Sequence, residues 1–529
     1  MRFASTALIS ACAATLALSS AVRGATPAPA KLAPTTVIVN AVLVDGLGGG
    51  RRPGAVRVRG DRILEVGDLR PILGEAVVDA RGLVLAPGFI DTHSHGDRGL
   101  FEHRDALAAV SQGITTIVAG QGEPPSWPLA EFFARLRREP AAVNVASYVG
   151  HGRLRHEVMG DDFRRAATPA EVGRMRVLLE REMRAGALGL STGLEYDPGI
   201  YSVPTEVIEL ARVAAASGGR YISHVRSEDR HFWEAIDEII TIGREARLPV
   251  QVSHVKLAMH SLWGQADRLL RTLDEARARG LDVTADIYPY LYWQSTLTVL
   301  FPERDFDNRA SAEFAVTEVS TPEGLLLGRF GPEPSYAGKT LAEIARLRGT
   351  DPPATLMDLI REAQAYEKKT GRDDAESVIG TSMSEPDLER LLAWPHANVC
   401  TDGELDGRHP RGFGTFPRVL GRYVRERGVI TVEEAVRKMT SLAAHNVGLA
   451  GRGEIRPGAY ADLVLFDPAT VIDRATTKDP HALAVGIETV WVNGSIVYEK
   501  GAASANRPGR VLRREGQTGV RYRAAVKGS

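Results

Sequence analysis

The chain has 529 residues, of which 44% are hydrophobic and 25% are charged, a composition typical of a folded globular protein with a large core. Its 65 basic and 66 acidic residues give a formal net charge of -1. The overall charge therefore does not favour nucleic acid or an anionic membrane surface as a partner.

The N-terminal segment is typical of a secretory signal, because a single arginine precedes an apolar run rich in Ala, Leu and Ser that ends in a Pro/Ala-rich stretch. We predict a signal peptide over residues 1–24, a linker over residues 25–34, and export to the periplasm or the medium. Lipid attachment at Cys12 is the rival interpretation, and the apolar run that continues beyond this cysteine argues against it. Removal of the signal would leave Cys400 as the only thiol, so packing must stabilise the mature chain.

Between residues 88 and 403, short β-branched runs alternate with amphipathic stretches rich in Ala, Arg and Glu. This alternation predicts an α/β protein in which parallel strands are joined by helices. Eight such runs are the number that a closed (β/α)8 barrel of the TIM type needs. They begin near Gly88, Gly113, Asn144, Ala187, Arg220, Pro249, Leu281 and Ala397.

The spacing of the predicted strands is broken once, between the seventh and the eighth. There we predict an insertion over about residues 291–380, placed to form a lid or a substrate wall. Residues 35–85 and 446–510 have the pattern of short strands, and we expect them to pair into a small β-sandwich made from both chain ends. The barrel would then span residues 86–445, and residues 511–529 would form a C-terminal tail.

Histidines and a carboxylate stand at the ends of the predicted strands. His93 and His95 close the first strand, His224 ends the fifth, His254 ends the sixth and Asp402 ends the eighth. The C-terminal ends of barrel strands converge on one face, so these side chains are expected to share a pocket. The His-x-His spacing places both rings on one side of the strand, where they can reach one metal ion. Imidazole and carboxylate ligands suit zinc.

Asp402 lies in Cys-Thr-Asp-Gly, and it could simply form a turn before Gly403. Because the predicted fold points it at four histidines, we predict a catalytic role instead. It would take a proton from the attacking water and pass it to the leaving nitrogen, with or without contacting the metal.

Several stretches between about Thr35 and Gly501 carry a shared pattern, including APGFIDTHSH (86–95), GALGLSTGLEYDPG (186–199), GGRYISHVRSE (218–228), PVQVSHVK (249–256) and TDG (401–403). This pattern resembles the amidohydrolase superfamily and, within it, the D-aminoacylases or N-acyl-D-amino-acid deacylases. The resemblance implies a barrel with a small β-sandwich, one or two zinc ions, and hydrolysis of an N-acyl-D-amino acid to a carboxylate and a D-amino acid. It also implies metal binding by His93, His95, His224 and His254, and catalysis by Asp402.

One turn departs from the family pattern. D-aminoacylases place a cysteine metal ligand after the second strand, whereas this chain has Gly-Gln-Gly-Glu at residues 120–123. Because a carboxylate can bridge two metal ions, we expect Glu123 to replace the cysteine. Glu195, after the fourth strand, is the competing candidate, and a site that uses neither stays open.

Substrate-binding residues are also suggested by the resemblance. Positions like those of Tyr196, Lys256 and Arg411 hold the carboxylate of the acylated amino acid in the family, and a guanidinium is well suited to clamp a carboxylate. Tyr288 and Tyr290, in the Tyr-Pro-Tyr that follows the seventh strand, could line the same pocket.

Together these features favour zinc-dependent hydrolysis of a linear amide bond in a small N-acyl amino acid. The preference for the D configuration depends on the resemblance alone. A D-dipeptidase, a hydrolase of cyclic amides and a catalytically silent binding barrel are the alternatives. We expect no nucleic-acid partner and no membrane span, and the sequence does not indicate an oligomeric state.

Overall fold

The computed structural model describes residues 35–372 and 374–514. The predicted signal peptide and linker, Cys12 and residues 515–529 of the predicted tail lie outside the described residues. Across the described ranges, no helix combines the length and the apolar character needed to cross a bilayer.

The strands of the described ranges are β1 (Thr35–Leu43), β2 (Arg52–Arg59), β3 (Arg62–Gly67), β4 (Ala76–Asp79), β5 (Val84–Pro87), β6 (Phe89–Asp91), β7 (Ile114–Ala119), β8 (Asn144–Ser147), β9 (Val149–Gly150), β10 (Gly189–Gly193), β11 (Arg220–His224), β12 (Val250–Val252), β13 (Val283–Ile287), β14 (Tyr292–Ser295), β15 (Leu325–Phe330), β16 (Glu376–Thr381), β17 (Ala397–Val399), β18 (Leu463–Phe466), β19 (Ile487–Val492), β20 (Ser495–Glu499) and β21 (Ala502–Ala503).

The α-helices are α1 (Leu107–Val110), α2 (Leu129–Arg138), α3 (His151–Met159), α4 (Pro169–Ala185), α5 (Pro204–Ala216), α6 (Phe232–Ala246), α7 (Ala266–Ala278), α8 (Arg309–Phe314), α9 (Leu341–Arg348), α10 (Pro352–Thr370), α11 (Glu385–Ala393), α12 (Arg411–Arg418), α13 (Val432–Met439) and α14 (Ser441–Val447).

Parallel strands lie at all eight positions that the sequence predicts. β6, β7 and β8 pair in one sheet, and β9 to β13 pair with β17 in a second sheet. Only Tyr148 separates β8 from β9, so the two sheets share one interrupted strand. The two sheets also contact each other at the edges formed by β6 and β17. There the N–H of Asp402 donates to the carbonyl of His93 at 2.8 Å, and the N–H of His95 donates to the carbonyl of Gly403 at 3.0 Å. The first and the eighth strand therefore meet at their C-terminal ends.

These parallel strands are short and buried, as expected for a sheet that helices cover. Every residue of β10 and β13 is buried. The helices between the strands have local signals for their ends. In α4, for example, Thr168 and Glu171 form a capping box at the start, and Gly186 adopts a left-handed conformation at the end.

Residues 291–380 form a subdomain with its own core. β14, β16 and β15 make an antiparallel sheet, and α8, α9 and α10 belong to the same segment. Phe301, Phe330 and Leu356 are among its buried core residues. Within this core Glu376 accepts a hydrogen bond from the N–H of Leu297 at 2.8 Å, and burial raises the pKa of its carboxyl to about 8.

Both ends of the described chain enter one nine-stranded sheet, in the order β21-β20-β19-β18-β5-β1-β2-β3, with β4 beside β1. The junction is the antiparallel pair of β5 and β18, in which Ala86 lies opposite Val464. A cluster that includes Ile38, Leu463 and Trp491 forms the core against this sheet. Strands from both ends of the described chain therefore belong to one sheet.

Candidate metal centre and adjoining cavity

Five of the predicted residues meet at the C-terminal ends of the parallel strands. Nitrogen atoms of His93, His224 and His254 lie within 4.8 Å of one another. Ligand atoms of His93, His95 and Asp402 do the same. Since His93 belongs to both sets, the two candidate metal positions are adjacent.

The side chains approach one another closely enough for shared coordination. Nε2 of His254 lies 2.5 Å from Nδ1 of His224. Oδ1 of Asp402 lies 3.1 Å from Nε2 of His95 and 3.3 Å from Nε2 of His93. A single carboxylate thus faces both rings of the His-x-His pair.

His93 shows that this arrangement fits a metal ion. Its side chain is fully buried, and neither ring nitrogen has a hydrogen-bond partner. A buried polar atom without a partner is costly unless it binds something. A divalent cation held by imidazole nitrogens and a carboxylate would satisfy it, and this donor set suits zinc.

Two further histidines are held in the uncharged form that metal binding requires. Burial, and then the rings of His254 and His93, hold the pKa of His224 well below its ordinary value. Burial and the ammonium of Lys256 lower the pKa of His254. His224 and His254 therefore present neutral imidazoles, whereas at His93 the effect of burial is outweighed by the carboxylates of Asp402 and Asp286, which raise its pKa.

Asp402 is ionised although it is buried. Burial would raise its pKa, but the guanidinium of Arg411 and the neighbouring histidines hold the pKa well below its ordinary value. Nη1 of Arg411 lies 2.7 Å from Oδ2 of Asp402.

The backbone of Asp402 has a φ of 49°, and that of His254 has a φ of 34°, so both adopt left-handed conformations that are uncommon outside glycine. Such strain is concentrated at functional sites.

Two carboxylates that support the histidines were not predicted. Oε1 of Glu228 lies 3.0 Å from Nδ1 of His254, where it can accept the ring proton and leave Nε2 free for a metal. Asp286 accepts a hydrogen bond from the N–H of His254 at 2.5 Å, and its Oδ1 lies 3.7 Å from Nδ1 of His93. Glu228 follows His224 by four residues, and Asp286 lies on β13. Their positions at or just beyond strand ends are the sequence feature that could have indicated them.

A cavity adjoins the histidines and is lined by four of the predicted substrate-binding residues, Tyr196, Lys256, Tyr288 and Arg411. Nζ of Lys256 donates to both oxygens of Glu228, at 2.6 and 2.7 Å, and lies 2.6 Å from Nδ1 of His254. The hydroxyl of Tyr288 is buried and has no hydrogen-bond partner. Arg411 lies over the ring of Tyr288, 4.8 Å from its centroid. The cavity thus combines two cations and a free hydroxyl donor.

The loop after β10 forms another wall of the cavity. Tyr196 packs with its ring 5.4 Å from that of His224, and Glu195 accepts a hydrogen bond from the N–H of Glu228 at 3.3 Å. Arg304, from the subdomain of residues 291–380, donates to the carbonyl of Glu195 at 2.9 Å and to Oδ1 of Asp197 at 3.0 Å. The subdomain is therefore fastened to the loop that carries Tyr196.

Glu123 and Tyr290 lie outside the cavity, and Glu195 lines it without belonging to a ligand set. Glu123 pairs with His156, its side chain is 34% exposed, and it belongs to neither ligand set found among the described residues. Glu195 lines the cavity, and those ligand sets do not include it either. The hydroxyl of Tyr290 points to Asp473 at 3.3 Å and not into this cavity.

The fold and the site define an α/β protein with a buried histidine-carboxylate centre of the kind that binds a divalent metal ion. The model of the amidohydrolase family matches residues 76–323 and 333–498. The chain belongs to this family.

Individual relatives match nearly the whole chain. A D-aminoacylase of Alcaligenes xylosoxydans xylosoxydans is 39% identical, over 90% of this chain and 97% of its own length. The N-acyl-D-glutamate deacylase of the same organism is 37% identical, over 90% and 96%. The crystal structure of N-acyl-D-glutamate deacylase from Bordetella bronchiseptica, complexed with zinc and a phosphonate inhibitor that mimics the tetrahedral intermediate, superposes with a TM-score of 0.81. It is 36% identical, over 92% of this chain and 100% of that one.

Proposed function

We propose that this protein is a zinc-dependent hydrolase that cleaves the amide bond of N-acyl-D-amino acids, releasing a carboxylate and a D-amino acid. The observation that carries the proposal is the pair of ligand sets that share His93, beside a cavity that holds Lys256 and Arg411. The similarity to D-aminoacylase and to N-acyl-D-glutamate deacylase supports the bond type and the configuration.

In this proposal His93, His95, His224, His254 and Asp402 would hold zinc. When bound, the ion would polarise the amide carbonyl and lower the pKa of a water molecule. The carboxylate of Asp402 takes the proton of the attacking water and delivers it to the leaving nitrogen. Arg411 keeps this carboxylate ionised, so that it is ready to accept the proton.

The remaining residues bind and orient the substrate. Lys256 and Arg411 supply positive charge for the substrate carboxylate, and the hydroxyl of Tyr288 can donate a hydrogen bond to it. Tyr196 packs against His224 and closes the cavity on the side of the loop after β10. Together they hold the scissile amide beside the histidines.

We also propose that the parallel strands form one closed (β/α)8 barrel and that the nine-stranded sheet folds over its own core as a small β-sandwich. The shared strand of β8 and β9 and the bonds between Asp402 and His93 support closure. The similarity to the structure of N-acyl-D-glutamate deacylase, with a TM-score of 0.81, also supports the proposal. Export through a cleaved signal remains a proposal from the sequence.

The test uses the purified protein, zinc analysis, and hydrolysis of N-acetyl-D-leucine and N-acetyl-L-leucine. We expect bound zinc, turnover of the D substrate, loss of turnover on chelation, and its recovery when zinc is returned. Absence of zinc together with no hydrolysis after zinc addition would overturn the proposal. Faster turnover of the L substrate would overturn the configuration.

Metal analysis of variants tests the ligand set. We expect His224→Ala to lose the zinc of the set that contains His224, because only His93 and His254 of that set would remain. Glu123→Ala is expected to keep its zinc, because Glu123 pairs with His156 in the structure. Glu195→Ala provides the matched comparison for the other candidate carboxylate. Zinc loss in Glu123→Ala alone would establish Glu123 as the substitute for the family cysteine.

A further inference from the structure

The cavity is poor in available positive charge. Among its lining residues in the described ranges, only Lys256 and Arg411 are cationic. Glu228 engages Lys256 with both oxygens, and Asp402 engages Arg411. Every N-acyl amino acid carries an α-carboxylate. This group would use the remaining hydrogen-bonding capacity of the two cations.

Two arginines on neighbouring segments do not add to this supply. Arg304 is directed to Asp197 and to the carbonyls of Glu195, Thr298 and Phe301. Arg230 pairs through Nη1 with Glu303 and lies over the ring of Phe314, while its Nε and Nη2 are buried without a hydrogen-bond partner. Neither guanidinium lines the cavity.

Carboxyl groups, by contrast, are concentrated on the wall formed by Glu195, Glu228 and Asp229, and of these Glu228 is paired with Lys256. The pKa of Glu195 shows the effect of this environment. Burial, and then the carboxylates of Glu228 and Asp229, hold it well above the ordinary value. A second carboxylate brought into this region with a substrate would meet the same burial and the same neighbours. Its charged form would be disfavoured for the same reasons.

The cavity also has an apolar part, beside the polar side chains of Gln294 and Ser295. Ala258, Leu300 and Val319 are buried around the cavity, and Val299 is half-buried at the same wall. Contact between these side chains and an uncharged hydrocarbon group is favourable because it buries apolar surface. They cannot form the hydrogen bonds or ion pairs that a buried ion needs.

We infer that this cavity selects N-acyl amino acids with uncharged side chains and rejects those with acidic side chains. This inference rests on the proposed function and narrows its substrate class. The inferred substrate preference differs from the one that the name of the 37% identical N-acyl-D-glutamate deacylase indicates. The discrimination comes from charge and burial rather than from size.

The experiment compares three substrates on the zinc-loaded full chain, namely N-acetyl-D-leucine, N-acetyl-D-glutamine and N-acetyl-D-glutamate. Glutamine matches glutamate in size and lacks its charge. We expect kcat/KM for the glutamate substrate to be lower than for the glutamine substrate by at least about a hundredfold, as for other unpaired buried groups. N-acetyl-D-glutamate should also be a poor inhibitor of leucine-substrate hydrolysis.

A charge placed in the wall sharpens the test. Val299→Lys adds a cation at a half-buried position, and Val299→Met is the uncharged control of similar length. We expect the lysine variant to raise kcat/KM for N-acetyl-D-glutamate by about tenfold relative to the methionine variant. The two variants should handle N-acetyl-D-glutamine alike.

Three results would count against the inference. Wild-type turnover of the glutamate substrate within about threefold of the glutamine substrate overturns it. Glutamate turnover that disappears in Arg230→Gln also overturns it, because Arg230 would then be the missing cation. If none of the three substrates is hydrolysed, the proposed function itself has failed, and this outcome differs visibly from loss of selectivity alone.

Discussion

The metal-binding side of the cavity and its substrate-binding wall are built from different parts of the chain. The histidines and Asp402 stand at the ends of short buried strands, whose positions are fixed by ladders of backbone hydrogen bonds. The opposite wall comes from the loop after β10 and from residues 291–380, which Arg304 fastens together. Chemistry thus depends on the rigid strands, whereas selectivity depends on side-chain contacts between loops.

The largest expected effect lies on the strand side. Asp402→Asn should lower kcat by at least about a thousandfold, because the amide cannot accept the proton of the attacking water. Zinc held by His93, His224 and His254 should be retained, whereas the melting temperature should fall because Arg411 loses its buried partner. Asp473→Asn is the control, since Asp473 is a buried carboxylate bonded to Arg418 and Tyr290. Substantial turnover by Asp402→Asn would contradict its catalytic role.

A smaller loss is expected at Lys256, where the two sides meet. Lys256→Met should lower kcat/KM by about a hundredfold, mainly through KM, because it removes a cation for the substrate carboxylate. It also leaves Glu228 buried without its ammonium partner, which destabilises the fold. The double variant Lys256→Met/Glu228→Gln should recover stability but not KM. Recovery of KM in the double variant would show that Lys256 acts only through folding.

An effect of about tenfold is expected on the loop side. Arg304→Gln removes the bonds to Asp197 and Glu195, so the loop that carries Tyr196 is held less firmly. KM should rise by about tenfold while kcat changes little. Arg309→Gln is the matched control, because Arg309 is exposed on the same subdomain and pairs with Glu313. An equal fall in kcat for Arg304→Gln would assign Arg304 to the chemistry instead.

The smallest effect on catalysis is expected at Glu376, whose change should appear in stability. Its pKa in the folded protein is about 8, against 4.5 for the unfolded chain, so the folded state binds the proton more tightly. Stability should therefore fall as the pH rises from about 5 to about 8. Glu376→Gln should remove about 3 kcal/mol of this dependence, measured as unfolding free energy at pH 5.5 and 8.5. Equal slopes for variant and wild type would show that Glu376 is ionised when folded.

The same division explains which parts were predictable. His93, His224 and Asp402 could be located because strands have a regular period and parallel strands end at one edge. The antiparallel sheet of β14, β15 and β16 was not predicted, because its pairing joins segments that are far apart in the sequence. Glu228 was missed for a related reason, since only the fold brings it to Lys256.

Glu123 illustrates the limit of a motif. Its position after the second strand made it a candidate to replace the cysteine of the family. In the structure α3 brings His156 to its carboxylate, a contact that the motif does not indicate. The position of the neighbouring helix determines which partner this loop carboxylate contacts. That position cannot be predicted from the residues around Glu123.

The pairing of β5 with β18 joins residues 84–87 to residues 463–466. This contact spans most of the polypeptide, so it cannot form until nearly all of the chain has left the ribosome. Until then β5 presents an unpaired edge, and the nine-stranded sheet cannot be completed. Completion of the native fold is thereby deferred to the end of synthesis.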